Sequence, residues 1–254
     1  MNYKEFNQLI GVEKMTFKAM VKILNTAYES KPKKWRDGRK KKLTIENQLL
    51  LTLKYLRQYV TQKELAFEFE VGESTVCYTI KWVEDTLIKD GSFSLPRKKL
   101  LLEDDGIEVV LVDVTECPIE RPQKTKKMVF WKKKRHTFKA QIIVNRANGI
   151  IICTAENYGK THGFTLYKNT IGGRVIDSIK EQADSGYQGI SKFHRNSETP
   201  KKKPKGRELT EDEKSENRCI SCERILIENI NAKIKTFKIM KIPIVTVENA
   251  ILSA

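Results

Sequence analysis

Asp113 lies in the run Ile107-Glu108-Val109-Val110-Leu111-Val112-Asp113-Val114, a nearly continuous β-branched stretch of the kind that builds a central strand buried on both faces. A carboxylate inside such a strand costs roughly several kcal/mol if left unpaired, or is forced neutral. Either a cation or a metal compensates it, or the strand ends there and presents the side chain at its tip; an ordinary edge position is the plainer alternative. A second acid opens Asp184-Ser185-Gly186-Tyr187, at the end of a short apolar stretch and before a glycine turn, although Asp-x-Gly also makes unremarkable turns. Arg224, Glu228 and Lys235 form a third group. At about 100° per residue they fall near 0°, 40° and 20° on a helix, one stripe of one face. The bland interpretation of Arg224 and Glu228 is an i,i+4 surface salt bridge.

Three carboxylates, two at strand ends and one on a helix, can bind two divalent metals. Hard oxygen ligands suit Mg²⁺ (or Mn²⁺), and two such ions can activate a water and stabilise the leaving oxygen in phosphodiester cleavage. That requires Asp113 and Asp184 at the same end of neighbouring parallel strands, with Glu228 projecting from a helix packed over that end.

The elements that must position these groups divide in two. Ile10, Val12, Phe17, Met20, Val21 and Leu24 recur at helical spacing, and a basic arm (31–42) follows with proline and glycine. Helix resumes behind Thr44 as N-cap. Thr61-Gln62-Lys63-Glu64 is a capping-box signature, Gly72 supplies a tight turn, and a second helix from Ser74 carries Val76, Ile80, Val83 and Leu87. Helix, short turn, helix is the helix-turn-helix pattern, with a plain helical hairpin as the alternative. On the second helix Ser74, Thr75, Tyr78 and Thr79 lie off the apolar stripe and can reach base edges or phosphates. The helical pattern stops near 90–105. Strands are expected at His136–Asn145 and Ile150–Ala155 around an Asn148-Gly149 turn, and at Ser178–Ala183. A polar loop spans Lys192–Asn217, and a long, largely buried helix runs from near Cys222 to about Ile239. The fold class is α/β: an all-α helix-turn-helix domain (1–95), a mixed-sheet domain (105–240) and a short tail (241–254).

Composition narrows the function. The 254 residues carry 48 Lys+Arg against 32 Asp+Glu, a net charge of +16, and the cations come in blocks at 31–42, 124–139 and 201–207. A codon-biased genome could spread lysine, but blocks of like charge call for a polyanionic partner, most commonly nucleic acid. No run approaches a membrane span and the first residues lack a secretory signal. Five scattered cysteines argue against a disulfide framework. The expected location is therefore cytoplasmic, at the nucleoid. Cys219-x-x-Cys222 lacks the second pair a zinc site needs. No RNA-binding module is recognisable.

From Leu43 to Ile239 the chain resembles a DDE transposase of bacterial insertion sequences, of the IS-five-like group related to Harbinger transposases. The resemblance is carried by Glu46-Asn47-Gln48-Leu49-Leu50 with Tyr55-Leu56-Arg57, Ser74-Thr75-Val76 with Val83-Glu84-Asp85-Thr86-Leu87, Asp113-Val114-Thr115-Glu116-Cys117-Pro118, Lys132-Lys133-Lys134-Arg135-His136-Thr137, Ala183-Asp184-Ser185-Gly186-Tyr187, and Arg224 with Glu228 and Lys235. It implies an RNase H-like catalytic domain behind the helix-turn-helix, with Asp113, Asp184 and Glu228 as catalytic, metal-holding acids. Arg224 and Lys235 would hold phosphates or orient the glutamate, and Lys132, Lys133, Lys134, Arg135 and His136 would line the DNA channel. The implied partner is double-stranded DNA, at the element's terminal inverted repeats and at the target, bound by a homo-oligomer. Departures from the family pattern are Ser221 in place of tyrosine, Gly163 in place of aspartate after His162, Met128-Val129-Phe130-Trp131 in place of a more polar approach to the lysine run, and a tail ending Pro243-Ile244-Val245-Thr246-Val247-Glu248 that reads as a truncation or frameshift product. The competing expectation is a decayed transposase that only binds DNA.

Overall fold

A computed structural model of the chain describes residues 3–31, 42–103, 106–119, 136–204 and 206–243. The chain divides into two compact units, Met1–Ser94 together with Lys235–Ile242, and a second containing Leu95–Ile234.

The first unit is helical: α1 (Tyr3–Ile10), α2 (Lys14–Glu29), α3 (Ile45–Gln58), α4 (Gln62–Glu68) and α5 (Glu73–Asp90). The Thr44 side chain accepts from the Asn47 amide at 3.2 Å and starts α3; Thr61 accepts from Glu64 at 3.2 Å and starts α4. Each satisfies an N–H that the first helical turn cannot pair. Leu51, Leu65, Val76 and Ile80 tie α3, α4 and α5 into one core, and Leu24, Leu49 and Val83 join α2 to α3 and α5 in another. Burying each such side chain contributes about 1.5–3 kcal/mol. The turn between α4 and α5 differs from expectation. Gly72 sits at an ordinary φ of −75°, and the left-handed residue is Glu70 at φ 51°.

The second unit holds β1 (Val109–Pro118), β2 (Thr137–Asn145), β3 (Ile151–Tyr158), α6 (Gly163–Thr170), β4 (Lys180–Ala183), β5 (Ser197–Glu198) and α7 (Glu211–Ile234). The sheet order is β3-β2-β1-β4-β5, antiparallel among the first three and parallel from β1 through β4 to β5, the mixed α/β sheet that the resemblance implied. Val110, Val112, Ile143 and Ile152 on one face pack against Tyr167 of α6. On the other, Leu111, Ile142 and Val144 pack against Ile227 of α7.

Two expectations need correction here. α7 begins at Glu211 rather than near Cys222, because Thr210 and Glu213 form a reciprocal capping box, with Glu213 N–H donating to Thr210 Oγ1 at 3.2 Å and Thr210 N–H to Glu213 Oε2 at 3.0 Å. It ends at Ile234, and only Ile220 and Ile227 are buried while Ile225 is 51% exposed. Among the described residues, no helix is long and apolar enough to cross a membrane.

Candidate active site

β1 and β4 run parallel and pair up to Val112 with Ala183. The next residue on each chain is an aspartate, Asp113 and Asp184. Adjacent parallel strands lie about 4.8 Å apart, so this register brings the two acids together where β4 ends beside β1. β1 itself continues to Pro118 against β2, with Asp113 opposite Ile142. Asp113 is thus no strand tip: it is the first position at which β1 loses its β4 neighbour. Alternation along β1 puts it on the Leu111 face, beneath α7.

α7 meets it with two side chains. Asn231 Nδ2 donates to Asp113 Oδ2 at 2.8 Å, and Arg224 Nη2 lies 3.7 Å from Oδ1. Arg224 is nearly buried, its side chain 12% exposed, so the pair is poorly screened. Glu228, an exposed residue on the same stripe, and Asp184 are both close enough to repel Asp113. Burial raises the Asp113 carboxyl above its ordinary range; the Val114 backbone amide and Arg224 pull it down, and Asp184 and Glu228 push it up. Asp184 turns back on its own chain, Oδ1 accepting the Gly186 amide at 2.8 Å. A Cβ at Gly186 would stand 2.8 Å from that oxygen, so a larger residue there would have to displace the Asp184 carboxylate.

Tyr187 completes the floor. It is 3% exposed, and burial pushes its phenol up, reinforced by Asp113 and Asp184. Its hydroxyl is buried with no partner, as are Arg224 Nε and Asn231 Oδ1. A Cβ on Gly163, the first residue of α6, would come within 3.4 Å of both that hydroxyl and Val114 Cγ2. The position at which the family pattern has aspartate therefore borders the same cluster.

α7 is fixed over the sheet one turn away. Arg146 Nη1 donates to Glu223 Oε1 at 2.7 Å, and Gln182 of β4 donates both to Glu223 and, at 2.8 Å, to Glu198 of β5.

The donor set suits a hard divalent cation in kind: three carboxylates whose mutual repulsion such an ion would relieve. As arranged, however, no three His, Cys, Asp or Glu among the described residues are grouped to hold a metal ion. Lys235 does not join the stripe; it lies one residue beyond the end of α7 and belongs to the helical unit. Lys132, Lys133, Lys134 and Arg135 lie outside the described residues, as do most of the basic arm and the tail from 244 onward. His136 precedes β2 and is half-buried.

In the helical unit, Ser74, Thr75 and Tyr78 are exposed on α5, Tyr78 at 75%. Thr79 is not: at 7% it packs inward, a correction to the expectation that it faces DNA. Asn231 was missed by sequence reasoning, although it stands seven residues from Arg224 and three from Glu228, on their stripe; Tyr187 was seen but given no role.

Residues 112–251 match the family model for DDE superfamily endonuclease, and residues 41–93 match that for the helix-turn-helix of DDE superfamily endonuclease. The former match runs into the segment set apart above as a tail. A probable transposase for insertion sequence element IS702, from Microchaete diplosiphon, is 41% identical over 239 residues, covering 93% of this chain and 85% of that protein. Among solved structures, the Mos1 mariner paired-end complex with Mn shares 12% identity at a TM-score of 0.24, over 90% of this chain and 95% of that one. The Mos1 paired-end complex with left transposon end shares 11% at 0.22, over 80% and 77%. Overlaps that small leave the weight on the sequence matches.

Proposed function

Because this chain belongs to the DDE superfamily of endonucleases and is a transposase with that superfamily's helix-turn-helix, we propose that it binds the terminal inverted repeats of an insertion sequence of the IS-five-like, Harbinger-related group, cuts there and joins the freed 3′ hydroxyl to target DNA. One observation supports this most: the parallel register that aligns Asp113 with Asp184 under the Arg224–Glu228 stripe of α7.

Asp113, Asp184 and Glu228 are the residues that would hold Mg²⁺ or Mn²⁺, and a cation so held would polarise the scissile phosphodiester. Arg224 balances the charge on Asp113 and keeps a buried N–H unspent, a donor suited to a phosphate oxygen. Ser74, Thr75 and Tyr78 read or grip duplex from α5. Lys235 and Lys132 to His136 serve as phosphate contacts by the family pattern. The protein acts as a homo-oligomer, because one chain carries a single helix-turn-helix and an element has two ends; its substrate places it at the nucleoid. The decisive experiment is divalent-ion-dependent cleavage of duplex carrying the element's own ends, with Asp113→Asn as control. Cleavage by the wild type and none by the variant is expected; equal cleavage by both would refute the site.

A second reading, a DNA-binding protein without catalysis, is favoured by Gly163, which leaves the buried Tyr187 hydroxyl unpaired. It is separated by Gly163→Asp: a wild type that binds ends without cutting, and a variant that cuts, would establish it.

A further inference from the structure

We propose that Asn231 is a positioning residue that holds Asp113 in a closed, resting orientation, from which the carboxylate must be released before the acids can share a cation. The inference rests on the metal-dependent reading of the site.

Both oxygens of Asp113 face α7, one bonded by Asn231 Nδ2 at 2.8 Å and the other 3.7 Å from Arg224 Nη2. The orientation of the Asn231 amide is set by its partner, since only its NH₂ end can face a carboxylate. That leaves Asn231 Oδ1 buried without a donor, an arrangement that costs free energy unless something else in the functional cycle fills it. The consequence for the acids is visible in the same structure. Asp113, Asp184 and Glu228 sense one another electrostatically, yet no three acids are gathered to ligate. Asp184 is held by an amide of its own turn, whereas Asp113 is held by a side chain of α7.

Arg224 and Asn231 act differently. Arg224 brings charge that the acids need for as long as they carry a surplus of negative charge. Asn231 brings none; its side chain donates a neutral hydrogen bond to Asp113. With the amide released, Oδ1 and the freed Nδ2 gain water, while Asp113 turns toward Asp184 and Glu228. Asn231 lies between Glu228 and the end of α7, so a small shift of that last turn is enough to break the contact.

The test is Mn²⁺ binding to the full-length chain, followed by the loss of the free-ion electron paramagnetic resonance signal, without DNA. Asn231→Leu keeps the volume and removes the donor; it should bind Mn²⁺ about tenfold tighter, the lower end of the worth of one hydrogen bond to a charged group. Asn231→Ser, too short to reach Asp113, should do the same and stands in should the leucine variant misfold. Binding of end-containing duplex should be unchanged in both. A merely structural asparagine would lower the melting temperature and leave Mn²⁺ affinity unchanged or weaker, and either result overturns the proposal. Asp113→Asn separates the two levels. If it abolishes binding while the Asn231 variants match the wild type, the clamp is wrong and the site stands. If neither the wild type nor the Asn231 variants bind Mn²⁺, both fall.

Discussion

α5 and α7 are both amphipathic helices with the proposed functional residues on a polar stripe, and they use that stripe in opposite directions. α5 buries Val76, Ile80 and Val83 and turns Ser74, Thr75 and Tyr78 outward, where a groove of DNA can meet them with no other part of the protein involved. α7 buries little of itself, and turns Arg224 and Asn231 down onto a strand more than a hundred residues earlier in the chain. A gripping surface needs only a rigid helix. A catalytic centre needs several elements held at one point, and its polar groups are half-buried because of it.

The largest effect should come from breaking the α7 side. Asp113→Asn is expected to reduce strand cleavage by roughly 10³-fold or more, about 4 kcal/mol, while binding of end-containing duplex stays within twofold of wild type. Parallel cleavage and gel-shift assays measure both. Loss of binding together with cleavage would show that the two helices do not divide the work as described.

Next is the α5 side. Tyr78→Ala should cost about 1–3 kcal/mol of discrimination between repeat and scrambled duplex, because an exposed aromatic on that face can contact a base edge or thymine methyl. Thr79→Ala should leave that discrimination intact and lower thermal stability by about 1 kcal/mol, as for a modest buried truncation. Competition binding with the two duplexes, alongside melting curves, separates the pair.

Thr79 also shows where sequence reasoning reached its limit. At about 100° per residue it falls about 60° from Val76 and about 40° from Val83, on the border of the apolar stripe, and packing decided which side it joined. Local signals were legible wherever a short motif determines the outcome: Thr44 and Thr61 cap as their spacing implies, and the Asp184 turn forms where Asp-x-Gly says. Thr210 and Glu213 carried the same signature but lay in a polar stretch read as loop, because the first turns of α7 face solvent and show no apolar period. Lys235 was placed on a helical stripe that ends one residue before it. The convergence of Asp113 with Asp184 was legible only as a condition on strand order, since pairing between β1 and β4 is a property of topology. Asn231 carries no titratable group to mark it in the sequence, and its contact is with a residue 118 positions away.

A smaller effect concerns pH. Asp113 and Glu181 both have carboxyls raised above their ordinary range, Asp113 by burial first and Glu181 by burial against the Tyr167 hydroxyl bond, 2.5 Å long, and the His194 charge that oppose it. An acid with a raised folded pKa holds its proton more tightly folded than unfolded. Its contribution to stability therefore grows as pH falls through the folded pKa, and is lost as pH rises. Melting followed from neutral pH into the acid range should give a wild-type curve that declines less steeply than those of Asp113→Asn and Glu181→Gln. Variant curves parallel to wild type would mean that neither group titrates in that window.

The smallest effect tests whether charge in the sheet unit is available to DNA at all. The block 201–207 has the composition of a phosphate-binding patch, yet Lys201, Lys203 and Arg207 are engaged by the first turns of α7 and the chain leading into it. Lys201 pairs with Glu216 at 2.6 Å, Arg207 with Glu213 at 2.9 Å, and Lys203 with Glu208. A cation already matched by a carboxylate releases few counterions on meeting a phosphate, so its removal should barely change the salt dependence of binding. Lys203→Ala and Arg207→Ala are each expected to keep duplex affinity within about twofold and to leave the slope of log K against log salt unchanged. Lys81, exposed on α5 a turn beyond Tyr78, should behave otherwise: its replacement by alanine should weaken binding to repeat and scrambled duplex alike and flatten the slope by about one. If Lys203→Ala flattened the slope as much as Lys81→Ala, the ion pairs of α7 would have to open on DNA, and the sheet unit would share the gripping that the comparison assigns to α5.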